Sequence, residues 1–365
     1  MSIVTTSLLL IVVLLTLDLA EAFVIIRASQ PQKHQKIQQK RHGVKNSSTR
    51  IFASQEVSVE TYQHKRWKLT YLYKEAAPGR ENDCPIILVH PVGIGLSSWF
   101  YEKLMKDFDD NPPIYAPDLI GCGLVHGADP WIPEEEGLFF PLSWVEGVET
   151  LMNDVVRSKQ SDNKSLFDNI VGKQTPKGSI VLAQGGLFPV GVMLAARNPL
   201  AVSSLILTSP PIYEDMITEV PSEKLKQNYD FLRSPILGNL AFKILESRAL
   251  IKFFSNLFLF QGECDNDWLD ETMKESKEKF ARTPVQAFNA GLLQHRSFEK
   301  ELSQIVQPTL IVSGTGDKRT VDRKPYRQVI EKCELKTVGG VNVLPYENRE
   351  EIISILKSVG ESLEE

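Results

Sequence analysis

The sequence is poor in cysteine, with four in 365 residues. Cys84, Cys122, Cys264 and Cys333 are too few and too widely spaced for a disulfide framework, and no CxxC pair points to structural zinc. A phosphate-cradling GxxxxGK[ST] loop is missing. The glycines after Leu182 also lack dinucleotide spacing, so no metal or nucleotide cofactor is expected. Excess positive charge is missing too: the formal net charge is -5, which gives no electrostatic footprint for nucleic acid. What remains is a globular balance, 42% hydrophobic and 24% charged. That balance supports a sizeable core and excludes collagen-like, coiled-coil and wholly disordered chains. No internal repeat is visible.

The first 55 residues stand apart. Leu8 to Leu17 form an apolar run, too short for the roughly 20 residues of a membrane-spanning helix. Ala20-Glu21-Ala22 follows as a small-residue cleavage site, so residues 1–22 read as a signal peptide. Residues 23–55 carry seven cations (Arg27, Lys33, Lys36, Lys40, Arg41, Lys45 and Arg50) and no Asp or Glu, the composition of a transit peptide. Signal plus transit, with Phe23 at the junction, resembles the bipartite presequence of algae with complex plastids. The expected location is therefore the plastid, the alternative being secretion with a basic linker. No transmembrane segment is expected in the mature chain.

From residue 56 onward, apolar strands alternate with helices. Val57–Tyr62 and Trp67–Tyr73 alternate with period two, as an entry hairpin would. Ile86–Val89, Ile114–Ala116, Ile180–Leu182, Leu205–Leu207 and Leu310–Val312 are buried-strand runs. Helices are expected over 97–108, 141–156, 187–196 and 348–363, and residues 158–178 read mostly as a loop. Buried strands alternating with helices predict a parallel sheet covered on both faces. Residues 212–302 break the alternation with helical periodicity and many phenylalanines. They read as a helical cap inserted between two halves of a core, 56–211 and 303–365. The Phe side chains either pack the cap itself or roof an apolar pocket.

Three motifs then fall in order after successive strands: His90-Pro91-Val92-Gly93, Asp118 to Gly123, and Gly314-Thr315-Gly316-Asp317. Their order and spacing resemble the α/β-hydrolase superfamily, in its capped branch of epoxide-hydrolase-like and haloalkane-dehalogenase-like enzymes. The resemblance covers about residues 57–360. It implies a mostly parallel eight-stranded sheet flanked by helices, with a nucleophile on a G-x-S-x-G elbow. Here the matching turn is Ala183-Gln184-Gly185-Gly186-Leu187, which puts Gly185 at the nucleophile. The family's G-H-x-P-x-E segment matches Asn342 to Glu347, which puts Val343 at the histidine. Only the acid position, Asp317, keeps a functional side chain, expected to pair with Lys318 or Arg319.

Glycine supplies no attacking atom and valine no base, so standard serine hydrolysis is not expected. Backbone donors do not depend on side-chain identity. The family's oxyanion positions, Val92 and Gly186, are thus candidates to bind a carbonyl or carboxylate, with Gln184 and His90 beside them. Alternative chemistry would fall to His126, Cys122 or His295, since Ser97 and Ser98 lack an evident base. Three readings follow, in order. The first is a plastid protein binding an apolar small molecule (lipid or pigment-like) or a partner protein without hydrolase chemistry. The second is an ester or lipid hydrolase, or a lyase, using non-standard residues. The third is a structural or interaction subunit.

Overall fold

In this computed structural model the residues described are 56–162, 177–318 and 320–363. The expected signal and transit segments, and residues 163–176 of the expected loop, lie outside them. Eight strands form one sheet in the order β1-β2-β4-β3-β5-β6-β7-β8. β1 (Ser58–His64) and β2 (Trp67–Lys74) are the entry hairpin, and β2 is antiparallel to β4 (Ile114–Pro117). From β4 onward every pairing is parallel, through β3 (Ile86–Val89), β5 (Ser179–Gln184), β6 (Val202–Thr208), β7 (Thr309–Gly314) and β8 (Cys333–Val338). The central strands β3, β4 and β5 are buried along their whole length. Such strands must be covered on both faces, which is why their sequences read as unbroken apolar runs. β8 has no such run: Glu334, Lys336 and Thr337 are exposed on a strand with a single neighbour.

On one face, Trp99, Phe100, Leu104, Met105 and Phe108 pack with Ile352, Ile355 and Leu356. The first group comes from a 3₁₀ turn (Ser98–Tyr101), α1 (Glu102–Asp107) and the residue that ends it, Phe108. On the other face lie α2 (Leu142–Thr150), a π-helical stretch (Leu151–Val156), α3 (Arg157–Asp162) and α4 (Phe188–Arg197). The helical run thus carries through residues 158–162, which the sequence reads as loop. α4 sits close to the sheet: a Cβ on Gly191 would lie 2.8 Å from that of Ala183.

The cap emerges between β6 and β7, as α5 (Tyr213–Ile217), α6 (Ser222–Leu232), α7 (Leu237–Leu245), α8 (Arg248–Phe254), a π-helical extension (Ser255–Leu259), α9 (Asn266–Ser276), α10 (Arg282–Asn289) and α11 (Glu299–Ser303). α12 (Tyr326–Val329), α13 (Leu344–Glu347) and α14 (Arg349–Ser362) close the chain. The phenylalanines of the cap divide. Phe242 and Phe260 are buried, Phe260 edge-on to Trp268, while Phe253 is exposed.

Candidate functional site: the strand-to-helix elbow and the Asp118 corner

β5 ends at Gln184 in extended conformation, Gly185 turns at φ +61°, and a 3₁₀ turn (Gly185–Leu187) leads into α4. This strand–turn–helix holds the backbone shape of a nucleophile elbow. A Cβ added to Gly185 would meet only Asn342 Oδ1, at 3.9 Å, so the space for a side chain is open. Positive φ costs an L-residue about 1–2 kcal/mol and glycine nothing, so the turn is relaxed here.

Gly186 is different. A Cβ there would lie 2.3 Å from Phe288 Cζ and 2.7 Å from Cε2. The aromatic ring of α10 therefore occupies the place of a side chain on the residue after the elbow. Beside it, Gln184 is fully buried and engaged at both ends. Its Oε1 accepts from Thr208 Oγ1 at 2.6 Å, and its Nε2 donates to the Asn342 carbonyl at 2.8 Å and to Asn342 Oδ1 at 3.4 Å. Gln184 is thus a strut between β6 and the loop after β8, with its amide spent inside the protein rather than offered to a ligand.

The loop after β8 corrects the residue that faces the turn. Val343 is buried among Leu344, Tyr346 and the aromatic cluster, and Asn342 presents its side chain to Gly185. The N–H groups of Asn342 and Val343 both donate to the Leu259 carbonyl, at 3.1 and 3.3 Å. Tyr346 Oη also donates to Asp265 Oδ1 at 2.8 Å, and Gln261 accepts from the Gly340 N–H at 3.0 Å and donates its own N–H to Glu347 Oε1, so this loop is tied to the cap at Leu259, Gln261 and Asp265. Asp317 pairs with Arg323 at 2.5 Å, rather than with Lys318, and Arg319 lies outside the described residues. The buried Arg323 guanidinium also donates to the Pro210 carbonyl and Ser313 Oγ. Asp317 therefore helps to fasten the 3₁₀ turn Thr320–Arg323 against the ends of β6 and β7.

The histidines separate by environment. His90 is fully buried; its Nε2 accepts from the Leu119 N–H at 3.2 Å and its Nδ1 faces the Pro91 carbonyl at 2.8 Å. Those partners assign the proton to Nδ1. Burial lowers its pKa, so it is a neutral strut and not an oxyanion donor or base. His295 is exposed and bonded to the Leu292 carbonyl at 3.0 Å. His126 sits with charged partners. Its Nδ1 is 3.5 Å from Asp118 Oδ2, and that carboxylate, side chain and all, is fully buried. Asp118 also accepts from Thr70 Oγ1 at 2.6 Å and the Ser98 N–H at 2.7 Å. Gly123, at φ +71°, leaves room for it, since a Cβ there would fall 2.2 Å from Oδ2.

Glu275, from α9 of the cap, completes this corner. Its carboxylate accepts from the N–H groups of Leu124 and Val125, at 2.9 and 3.4 Å. Desolvation first, then Asp118, push its pKa up. The hydrogen bond to Asp118 pushes that of His126 up. Cys122 is buried beside both carboxylates. Burial, and then their charge, raise its pKa well above the usual thiol value, so it stays a protonated thiol and a poor nucleophile. Ser97 and Ser98, expected at a pocket mouth, are fully buried and their hydroxyls have no protein partner.

Val92 borders a residual cavity of about 10 Å³ with Gly93, Gly95, Cys122, Glu275 and Val285. That is the room of a single water. Among the described residues no three His, Cys, Asp or Glu side chains gather as metal ligands, and no helix is long and apolar enough to cross a membrane.

Sequence reasoning misses Phe288, Asn342 and Glu275. The asparagine had a local signal, as the lone polar side chain in Val341-Asn342-Val343-Leu344. Phe288 and Glu275 had none, because their roles depend on where the cap folds back.

The sequence profile of the alpha/beta hydrolase family matches residues 86–355. No curated protein sequence matches the chain. Solved structures similar to it include the haloalkane dehalogenase DbeA from Bradyrhizobium elkani USDA94, 16% identical, with a TM-score of 0.59 over 85% of this chain and 99% of that one. The epoxide hydrolase CorEH is 14% identical, with a TM-score of 0.58 over 83% and 98%. A bacterial membrane phospholipase A is 16% identical, with a TM-score of 0.57 over 84% and 87%. At these identities the likeness is one of fold.

Proposed function

The chain belongs to the alpha/beta hydrolase family, and from that premise we propose that it has kept the family's fold without serine-hydrolase chemistry and works by binding a partner in the plastid. The observation that carries this reading is the elbow itself. Gly185 offers no attacking oxygen, Asn342 stands where a base would have to reach, and Phe288 fills the space over Gly186. An acyl-transfer site needs a nucleophile, a base within hydrogen-bond reach and room for the reacting carbon. The first has only a hydrogen at Gly185, the second is an asparagine amide, and the room beside them is taken by the Phe288 ring. An apolar small molecule entering over the elbow would have to displace Phe288, which favours a partner protein over a small ligand.

Labelling the purified protein with a fluorophosphonate probe tests the proposal. No covalent adduct and no ester turnover are expected; stoichiometric labelling abolished by replacing one serine or cysteine would overturn it. Native mass spectrometry of protein taken from plastids is expected to show no bound lipid or pigment. Plastid delivery rests on the basic, acid-free stretch after the signal-like segment. A fluorescent fusion of residues 1–55 that is secreted would refute it.

One observation favours a second reading, an enzyme using other groups. His126 is oriented through Nδ1 by a buried carboxylate, as a general base is in a triad. His126→Ala abolishing turnover of any ester or lyase substrate would select that reading, and the protonated Cys122 argues against a thiol nucleophile within it.

A further inference from the structure

The cap's outer surface carries a feature that the elbow does not account for. Ile236, Leu237 and Leu240, at the start of α7, and Phe253 and Leu257, along α8 and its extension, are each 40–75% exposed. These side chains cannot simply rotate into the core. α7 is fixed by Gly238, where a Cβ would lie 2.3 Å from the Leu232 carbonyl oxygen, and by buried Phe242. α8 is fixed by buried Ile251 and by Ser255, whose Oγ accepts from Trp268 Nε1 at 2.9 Å. With their inner faces anchored, the two helices leave these five apolar residues facing outward.

Charge is distributed to match. Residues 233–259 contain four cations, Arg233, Lys243, Arg248 and Lys252, and a single carboxylate, Glu246, in a chain of net charge -5. Glu246 is spent on Arg282. Arg233, Arg248 and Lys252 pair with Glu134, Asp270 and Glu263 contributed from outside this segment. The Arg248 and Lys252 pairs are exposed and worth little, so a lipid phosphate can compete for both cations, while Arg233 is half-buried. Lys243 has no ion pair among the described residues and lies one turn from Leu240. Exposed Leu, Ile and Phe on helices interleaved with cations are the chemistry of a protein surface that seats in the headgroup region of an anionic bilayer.

We propose that the outer face of α7 and α8 is a docking surface for an anionic lipid membrane. The apolar side chains enter the acyl boundary and the cations meet the lipid phosphates, so attachment is peripheral and reversible.

Co-sedimentation of the full chain with vesicles tests this. One set is phosphatidylcholine alone and the other is phosphatidylcholine mixed with phosphatidylglycerol. Binding is expected to the mixed vesicles and to weaken with added salt. The double substitution Leu237→Glu with Phe253→Glu is expected to lower partitioning roughly tenfold or more, because it charges the inserting face. Lys243→Glu should lower it several-fold, and on the mixed vesicles only. All variants keep the basic residues 23–55, so binding through that segment leaves the double variant equal to the wild type and overturns the proposal. Absence of vesicle binding also overturns it. So does a concentration-dependent dimer that the double substitution dissolves while vesicle binding stays unchanged.

Discussion

The elbow and the Asp118 corner are two turns at the ends of strands of one sheet, and they have kept opposite things. The elbow keeps the backbone: the positive φ at Gly185, the 3₁₀ turn and α4 remain, but no side chain there can take or give a proton. The corner keeps titratable groups, with Asp118, His126 and Glu275 held by defined hydrogen bonds, yet the cysteine beside them is a thiol that burial holds protonated. A hydrolase joins both properties at one place. The elbow's backbone shape is thus present with glycine at the turn, where α4 packs closely on β5.

The strongest way to break the comparison is to damage the corner's geometry. Gly123→Val places a side chain on the Asp118 carboxylate at a left-handed backbone position. It is expected to cost on the order of 3 kcal/mol or more, read from urea denaturation. Next comes Phe288→Ala, which should cost about 2 kcal/mol for a half-buried ring. It should also open the elbow to an apolar fluorescent probe that the wild type does not bind, with no gain of esterase activity. Gly185→Ser should cost about 1 kcal/mol through its positive φ. Because Asn342 is no base, the new hydroxyl should stay inert to fluorophosphonate; rapid labelling would show that the elbow has lost only its serine.

The pH dependence sharpens the other side. Glu275 and His126 both have folded pKa values above their unfolded ones. Each contribution to stability is complete below the unfolded value and is lost as pH rises through the folded one. Against the opposing contribution of buried His90, whose pKa is lowered, Glu275 should lose its share of stability above about pH 4.5 and His126 above about pH 6.5, each read as the wild-type-minus-variant difference in melting temperature. The variants are Glu275→Gln for the first and His126→Gln for the second. A wild-type-minus-variant difference that grows as pH rises would contradict the arrangement of the corner.

Much of the fold was legible because the central strands are buried on both faces and so betray themselves as Ile86–Val89 or Ile180–Leu182. β8 was not, since its exposed Glu334 and Lys336 break the apolar run that marks an inner strand. At the site, the glycine at the turn after β5 could be read directly from the turn motif. The loop after β8 was off by one residue. The G-H-x-P spacing selects Val343, while the pinning of that loop by the Leu259 carbonyl buries Val343 and turns Asn342 to the elbow. Asp317 was found, but not Arg323 as its partner. That pairing spans a 3₁₀ turn whose path local sequence does not specify.

The doubly used Leu259 carbonyl makes the loop over the elbow a gauge of the cap. Amide protons at Asn342 and Val343 can exchange with solvent only when the π-helical end of the cap lets go of them. Their exchange rates thus measure how often the cap lifts, without any label on the cap itself. Anything that grips α8 from outside should register at residues the gripping agent never touches.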